Sequence, residues 1–181
     1  MSQLKIFADN DPATAITTSH DHSEIADLLS QKGVRFEKWA TAASVVAGDS
    51  QDKIIKEYRS DIDRLIEADG YQSVDVVSLT PDHPDKEKLR QTFLAEHAHS
   101  EDEVRFFVAG QGLFSLHLAG SVYEVLCQKG DLIGVPANTP HWFDMGPNPN
   151  FVAIRLFNNP DGWVAHYSGS DIAKQFNRLE N

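Results

Sequence analysis

The chain has 181 residues, of which 41% are hydrophobic and 24% are charged, with a formal net charge of −11 and a single cysteine. This length and composition predict one globular domain, residues 1–181, with an adequate core. The negative charge disfavours nucleic acid and anionic membrane surfaces as partners, and the lone Cys127 excludes an intramolecular disulfide.

The sequence also lacks the features of an exported or membrane protein. The N-terminal residues have no long apolar stretch of the kind found in signal peptides, and no run approaches the ~20 apolar residues of a membrane helix. Together with the single cysteine, this predicts a cytoplasmic protein without a membrane partner. We also expect a monomer.

The first quarter of the chain predicts a strand followed by a helix. Leu4, Ile6 and Ala8 alternate with polar residues, which is typical of a short strand. Apolar residues at helical spacing predict a helix from Ser23, as its N-cap, to Lys32.

Strand and helix patterns continue to residue 94. Residues 34–39 alternate and predict a strand, and residues 40–48 predict a loop. An apolar stripe at helical spacing runs from Ser50 to Gly70. Residues 74–79 then predict a strand, and a short helix is expected at about 85–94.

Two histidines and a carboxylate follow this helix. His97 and His99 are two residues apart, and Glu103 follows four residues later. Residues of equal parity share one face of a strand, so Glu103 and Arg105 would join the histidines if one strand continued through all four. Such a ligand set suits non-haem iron, and zinc accepts it too. Paired histidines at a strand end are, however, often only solvated.

From Glu103 onward the pattern changes to short strands separated by turns. Phe114–Leu118 and Val122–Leu126 flank a glycine-containing turn and predict a hairpin. Many short strands of this kind favour a β-barrel or double-sheet jelly roll. His141, after a proline-containing turn, is a fourth candidate ligand. The upstream pair His20 and His22 has no such frame, and we interpret it as surface-exposed.

Two stretches resemble the motifs of the cupin superfamily. His97-x-His99-x-x-x-Glu103, followed by Gly110, is similar to the first motif, and Gly130, Pro136 and His141 are similar to the second. The sequence departs from the motifs at three positions. Gln91 and Asn138 stand where the motifs have glycine, and Met145 stands where the second motif has asparagine. None of them removes a ligand.

Longer runs resemble one cupin family, the acireductone dioxygenases of methionine salvage. The runs are 96–108 and 136–146, extended by 153–157 and 162–163. Upstream, residues 33–39 and 70–73 carry the likeness over nearly the whole chain. The resemblance implies a mainly β fold with flanking helices, a cupin-type double-stranded β-helix or jelly-roll barrel. A helical portion at about 20–95 would precede a metal-binding β-barrel at about 96–168.

The resemblance also implies a metal and a reaction. His97, His99, Glu103 and His141 would hold one Fe(II) or Ni(II) per chain. The substrates would be O2 and acireductone, 1,2-dihydroxy-5-(methylthio)pent-1-en-3-one. The iron form would give formate and 4-methylthio-2-oxobutanoate, and the nickel form would give formate, carbon monoxide and 3-(methylthio)propanoate. The same ligands serve both metals, so the sequence does not choose between them.

Further residues are candidates for substrate binding. Arg105 and Arg155 could balance the charge of a substrate or ligand, although a structural ion pair explains Arg155 equally well. The aromatic candidates for a wall around the methylthio tail are Phe93, Phe143 and Trp163, which are equally good core residues. Two alternative functions remain open: another cupin metalloenzyme, such as an isomerase or oxygenase, and a metal-binding module without catalysis.

Overall fold

The computed structural model describes residues 1–42 and 44–180, which fold into two antiparallel β-sheets with flanking helices. The strands are β1 Gln3–Ala8, β2 Ala15–Ser19, β3 Arg35–Lys38, β4 Ser73–Leu79, β5 His97–Ala98, β6 Glu103–Ala109, β7 Gln111–Leu118, β8 Ser121–Gln128, β9 Asp131–Val135, β10 His141–Asp144, β11 Phe151–Phe157 and β12 His166–Tyr167. The helices are α1 His22–Ser30, α2 Gln51–Glu57, α3 Arg59–Asp69 and α4 Lys86–Leu94, with a short 3₁₀ helix at Ile172–Lys174. The predicted mainly β class with flanking helices is confirmed.

The two sheets face each other across a shared interior. Within the described residues one sheet has the strand order β12-β5-β10-β7-β8-β1-β2, and the other has the order β3-β9-β6-β11-β4. Both edge strands of the second sheet, β3 and β4, come from the portion that precedes residue 96. The predicted hairpin is present, since β7 and β8 pair from Gln111 with Gln128 to Leu118 with Ser121.

Strand periodicity divides the side chains between the interior and an outer layer. On β6, Phe107 lies in the interior cluster, whereas Val104 and Phe106 lie in a second cluster under α2 and α3. A third cluster packs the C-terminal segment, through Phe176, against Trp142 on β10. Glu103 and Arg105 share the parity of Phe107, so they point into the interior.

Two local predictions are wrong in detail. The N-cap of α1 is Asp21 rather than Ser23, since the Asp21 carboxylate accepts a hydrogen bond from the Glu24 backbone N–H at 2.9 Å. The apolar stripe from Ser50 to Gly70 is interrupted at Tyr58, which separates α2 from α3. Tyr58 is buried, packs edge-on against Phe106, and accepts a hydrogen bond from the Ala42 backbone N–H. Tertiary contacts at Tyr58 thus outweigh the continuous helical pattern.

Among the described residues, no helix has the length and apolarity that crossing a membrane requires.

Candidate metal centre

Strands from both sheets bring the four predicted ligands together. His97 lies on β5 and pairs directly with His141 on β10. His99 follows β5, and Glu103 opens β6 in the other sheet. The strand that could have joined the histidines to Glu103 does not continue, because residues 99–102 cross between the sheets. The side chains still meet, since both sheets face the same interior.

The three imidazoles form a compact buried cluster. The ring centroids lie 4.5 Å apart for His97 and His141, 5.2 Å apart for His97 and His99, and 5.1 Å apart for His99 and His141. One ring nitrogen of each histidine lies within 4.8 Å of those of the other two. Each histidine is no more than 6% exposed. A single ion could therefore contact all three.

Backbone carbonyls fix which ring nitrogen carries the proton. His97 donates from Nδ1–H to the Ala95 carbonyl oxygen at 2.7 Å. In the same way, His99 donates to Val164 O at 2.7 Å and His141 donates to Thr139 O at 2.8 Å. A carbonyl oxygen can only accept, so each neutral ring keeps its lone pair on Nε2. All three Nε2 atoms are buried and have no hydrogen-bond donor among the described residues.

Glu103 completes the cluster through one carboxylate oxygen. Its Oε1 accepts from Arg105 Nε at 3.2 Å and Nη2 at 2.8 Å. Its Oε2 lies 3.1 Å from His99 Nε2 and 3.7 Å from His141 Nε2, and has no hydrogen-bond donor within the described chain. When His99 carries its only ring proton on Nδ1, these two lone-pair atoms repel unless a cation lies between them. Adjacent ligands of one ion, each at about 2.1 Å, would be separated by about 3 Å.

The electrostatics keep these groups in the protonation states that a metal needs. Burial lowers the pKa of His97 to about 4 and that of His141 to about 3, so both rings are neutral at pH 7. Burial alone would raise the pKa of Glu103, but the charge of Arg105 outweighs it and holds the pKa well below its usual range. Burial also lowers the pKa of Arg105, but from a value high enough that the guanidinium stays charged.

Of the predicted substrate-binding aromatics, Trp163 contacts the histidines directly. Trp163 is 5.6 Å from the His97 ring and 5.8 Å from the His99 ring. Phe93 contacts both Trp163 and Phe143, with ring centroids 6.0 and 6.2 Å apart. Phe93 and Phe143 are buried within the interior cluster, so they are core residues as well as neighbours of the site.

The two arginines differ in their partners. Arg105 is bound to Glu103, and its guanidinium carbon lies 4.8 Å from the rings of both Phe114 and Phe143. Arg155 pairs with Asp75, as the ion-pair interpretation predicts, yet it also lies 5.6 Å from the Trp163 ring. Both arginines therefore border the histidine cluster.

Other histidines lie outside the cluster. His117 is half-buried, with Nδ1 3.0 Å from Glu96 Oε2 and Nε2 3.3 Å from Asp9 Oδ2. His20 is exposed as predicted, and His22 is partly exposed, with its ring stacked on Phe36. Sequence reasoning missed the three carbonyl acceptors and Asp75, and no local pattern marks them, because their contacts depend on how distant segments pack.

The chain is similar in sequence to a known protein family and to proteins of named function. The family model described as ARD/ARD′ family matches residues 3–165. An acireductone dioxygenase of Alcanivorax borkumensis is 62% identical over 178 residues, covering 98% of each chain. One of Pseudomonas savastanoi pv. phaseolicola is 55% identical over the full length of both chains.

A solved structure agrees with the sequence relatives. An acireductone dioxygenase from Bacillus anthracis, described with a cadmium ion in its active centre, superposes with a TM-score of 0.78. It is 31% identical, and the match covers 92% of this chain and 98% of that chain. The cupin form of the fold is therefore shared.

Proposed function

The chain belongs to the ARD/ARD′ family, and from this premise we propose that it is an acireductone dioxygenase. The observation that carries the proposal is the pair of lone-pair atoms, His99 Nε2 and Glu103 Oε2, which face each other at 3.1 Å inside a buried histidine cluster. Such an arrangement needs a positive charge between the two atoms, and the close approach of three buried ring nitrogens to one another fits a metal ion. The metal-binding relative from Bacillus anthracis supports the same interpretation.

The residues fit a divalent transition metal. His97, His99 and His141 would bind it through Nε2, and Glu103 through Oε2. Imidazole and carboxylate ligands suit Fe(II) and Ni(II), and four protein ligands leave open positions for a substrate. When bound, the metal supplies Lewis acidity and a template for an enediolate. We propose one Fe(II) or Ni(II) per chain.

The residues around the metal have separate tasks. Arg105 holds Oε1 of Glu103 through two hydrogen bonds, which leaves Oε2 for the metal. Arg155 brings a second positive charge to a protein whose net charge of −11 would otherwise repel an anionic substrate. Phe93, Phe143 and Trp163 offer an apolar wall for the methylthio tail and exclude water from the site.

The metal would also determine the products. We propose formate and 4-methylthio-2-oxobutanoate with Fe(II), and formate, carbon monoxide and 3-(methylthio)propanoate with Ni(II). The first reaction would serve methionine salvage in the cytoplasm. We further propose that the chain acts as a monomer.

Reconstitution of the metal-free protein tests the proposal. The protein should be loaded with Fe(II) or Ni(II), supplied with acireductone and O2, and assayed for both keto acid and carbon monoxide. We expect carbon monoxide from the nickel form alone, and no activity in His97→Ala, which should also lose the metal.

The possible failures of this experiment have different meanings. Identical products from both forms would refute the metal switch and leave the dioxygenase activity standing. A fully loaded protein that consumes no acireductone would refute the dioxygenase proposal and favour another cupin function. Full metal occupancy in His97→Ala would refute the ligand assignment.

A further inference from the structure

A bidentate ion pair joins the edge of the five-stranded sheet to its interior. Arg155 on β11 lies directly opposite Asp75 on β4, the strand at that edge. Asp75 Oδ1 accepts from Arg155 Nε at 2.7 Å, and Oδ2 accepts from Nη2 at 2.6 Å. Two parallel hydrogen bonds fix the plane of a guanidinium as well as its position. Asp75 therefore decides where the remaining nitrogen of Arg155 lies.

That remaining nitrogen is buried without a protein acceptor. Arg155 is 7% exposed, and its Nη1 has no hydrogen-bond partner among the described residues. The guanidinium carbon lies 5.5 Å from the Phe157 ring and 5.6 Å from the Trp163 ring. Both rings are in turn 5.8 Å from the ring of His99. Arg155 thus packs against two rings that also contact His99, and an unpaired charged N–H is costly in such a buried place.

The two arginines near the cluster are held in contrasting ways. Arg105 directs Nε and Nη2 to Glu103, which itself points into the interior. Arg155 directs the same two atoms away from the site, to a carboxylate whose side chain is 36% exposed at the sheet edge. The ion pair with Asp75 therefore holds the guanidinium through Nε and Nη2 and leaves Nη1 without a protein acceptor among the described residues.

We propose that Asp75 is a positioning residue that aims Arg155 Nη1 at an anionic oxygen of the bound substrate. This inference rests on the proposed function. The ligand chemistry is that of an enediolate or another small oxyanion, because a charged donor beside aromatic walls gains most from a negatively charged acceptor. Asp75 itself does not touch the substrate, so its effect passes entirely through Arg155.

The test separates this role from a general contribution to stability. Asp75→Asn keeps the size of the side chain but removes its charge and one of its two acceptors. With the metal loaded, we expect KM for acireductone to rise about tenfold or more while kcat changes by less than about threefold, with metal content unchanged. Asp75→Glu, which restores the carboxylate, should recover most of the lost affinity.

A matched control lies at the other edge of the same sheet. Glu37 on β3 also holds an arginine, Arg35, through two hydrogen bonds, and is partly exposed. Glu37→Gln should leave KM unchanged, even where its thermal midpoint falls as far as that of Asp75→Asn. A KM in Asp75→Asn no higher than in Glu37→Gln would overturn the proposal.

A double-mutant cycle supplies the second readout. If Asp75 acts only through Arg155, then Asp75→Asn combined with Arg155→Met should raise KM no more than Arg155→Met alone. Additive effects of the two changes would overturn the positioning role. An inactive wild-type protein would overturn the proposed function and this inference together, whereas an active one with equal KM values would overturn the inference alone.

Discussion

Hydrogen bonds to individual atoms determine what the histidine cluster can bind. Each imidazole donates a hydrogen bond from Nδ1–H to a backbone carbonyl oxygen, which leaves the three Nε2 lone pairs for a ligand. Arg105 acts on Glu103 in the same way, by occupying Oε1 and leaving Oε2 free. Groups behind the ligands thus set both orientation and charge.

Replacing Arg105 tests this arrangement at the residue scale. In Arg105→Met, Glu103 Oε1 loses both of its donors, and a buried carboxylate without them is harder to keep ionised. We expect metal affinity to fall by about 10- to 100-fold, with a corresponding loss of activity at limiting metal. Metal titration followed by competition with a chelator measures the change.

Arg35→Met is the control for this substitution. Arg35 binds Glu37, two residues away on β3, as Arg105 binds Glu103 two residues away on β6. Phe36, between Arg35 and Glu37 on β3, belongs to the interior cluster, so Arg35 and Glu37 face away from the interior, and their pair is partly exposed. Equal metal affinity in the wild type and Arg105→Met would mean that Arg105 does not support the ligand, and a fall in kcat/KM alone would then assign it to the substrate.

At the scale of elements, close contacts between strands shape the wall of the site. Gly112 on β7 lies against Phe143 on β10, and a Cβ at Gly112 would come within 2.3 Å of the Phe143 ring. That ring also contacts Phe93 and the guanidinium of Arg105. The absence of a side chain at Gly112 therefore fixes how near the aromatic wall approaches the arginine.

We expect Gly112→Ala to be destabilising and to displace the wall. The added methyl cannot fit without movement of Phe143, and overpacking of this kind costs about 1–3 kcal/mol. Chemical denaturation measures the cost, and KM for acireductone should rise with it. Gly70→Ala is the comparison, because a Cβ there meets nothing within 4 Å and only the positive φ of 73° opposes it. A Gly112→Ala protein as stable as the wild type would contradict the close contact.

At the scale of the whole molecule, the stability of the folded protein depends on the protonation of its buried ionisable groups. The pKa of His97 is lowered to about 4 and that of His141 to about 3, both chiefly by burial. The unfolded chain takes up protons on these rings below about pH 6.5, whereas the folded metal-free chain does not. Glu103, with its lowered pKa, acts in the same direction, because protonation costs more in the folded state.

The metal-free protein should therefore lose stability as the pH falls. The histidine contributions are present above about pH 6.5 and are lost progressively down to about pH 4 for His97 and about pH 3 for His141, by on the order of 1–2 kcal/mol for each imidazole at pH 5. The contribution of Glu103 is lost at lower pH, below about 4.5. Urea denaturation of metal-free protein at pH 7.5 and 5 measures this. His141→Phe, which removes one buried imidazole, should flatten the profile, and replacement of the exposed His20 by Gln should not. A flat wild-type profile would contradict the burial argument.

Local pattern was sufficient for much of the fold and for the identity of the ligand candidates. Alternation of apolar and polar residues predicted β1, β4 and the β7–β8 hairpin, because strand periodicity is a property of neighbouring residues. The spacing of His97, His99 and Glu103, with His141 after a proline turn, marked these residues as candidates, and the family resemblance implied the full ligand set. Parity also placed Arg105 on the face of Glu103, since both lie on β6.

The tertiary structure decided what depends on residues far apart in the chain. The crossing between sheets at residues 99–102, the break of the helical stripe at Tyr58 and the carbonyl behind each imidazole have no local signature. Asp75 and Arg155 are 80 residues apart, and only strand register makes them partners. Such contacts follow from how whole layers pack, because burial and hydrogen bonding are satisfied by the assembled interior and not by any one segment.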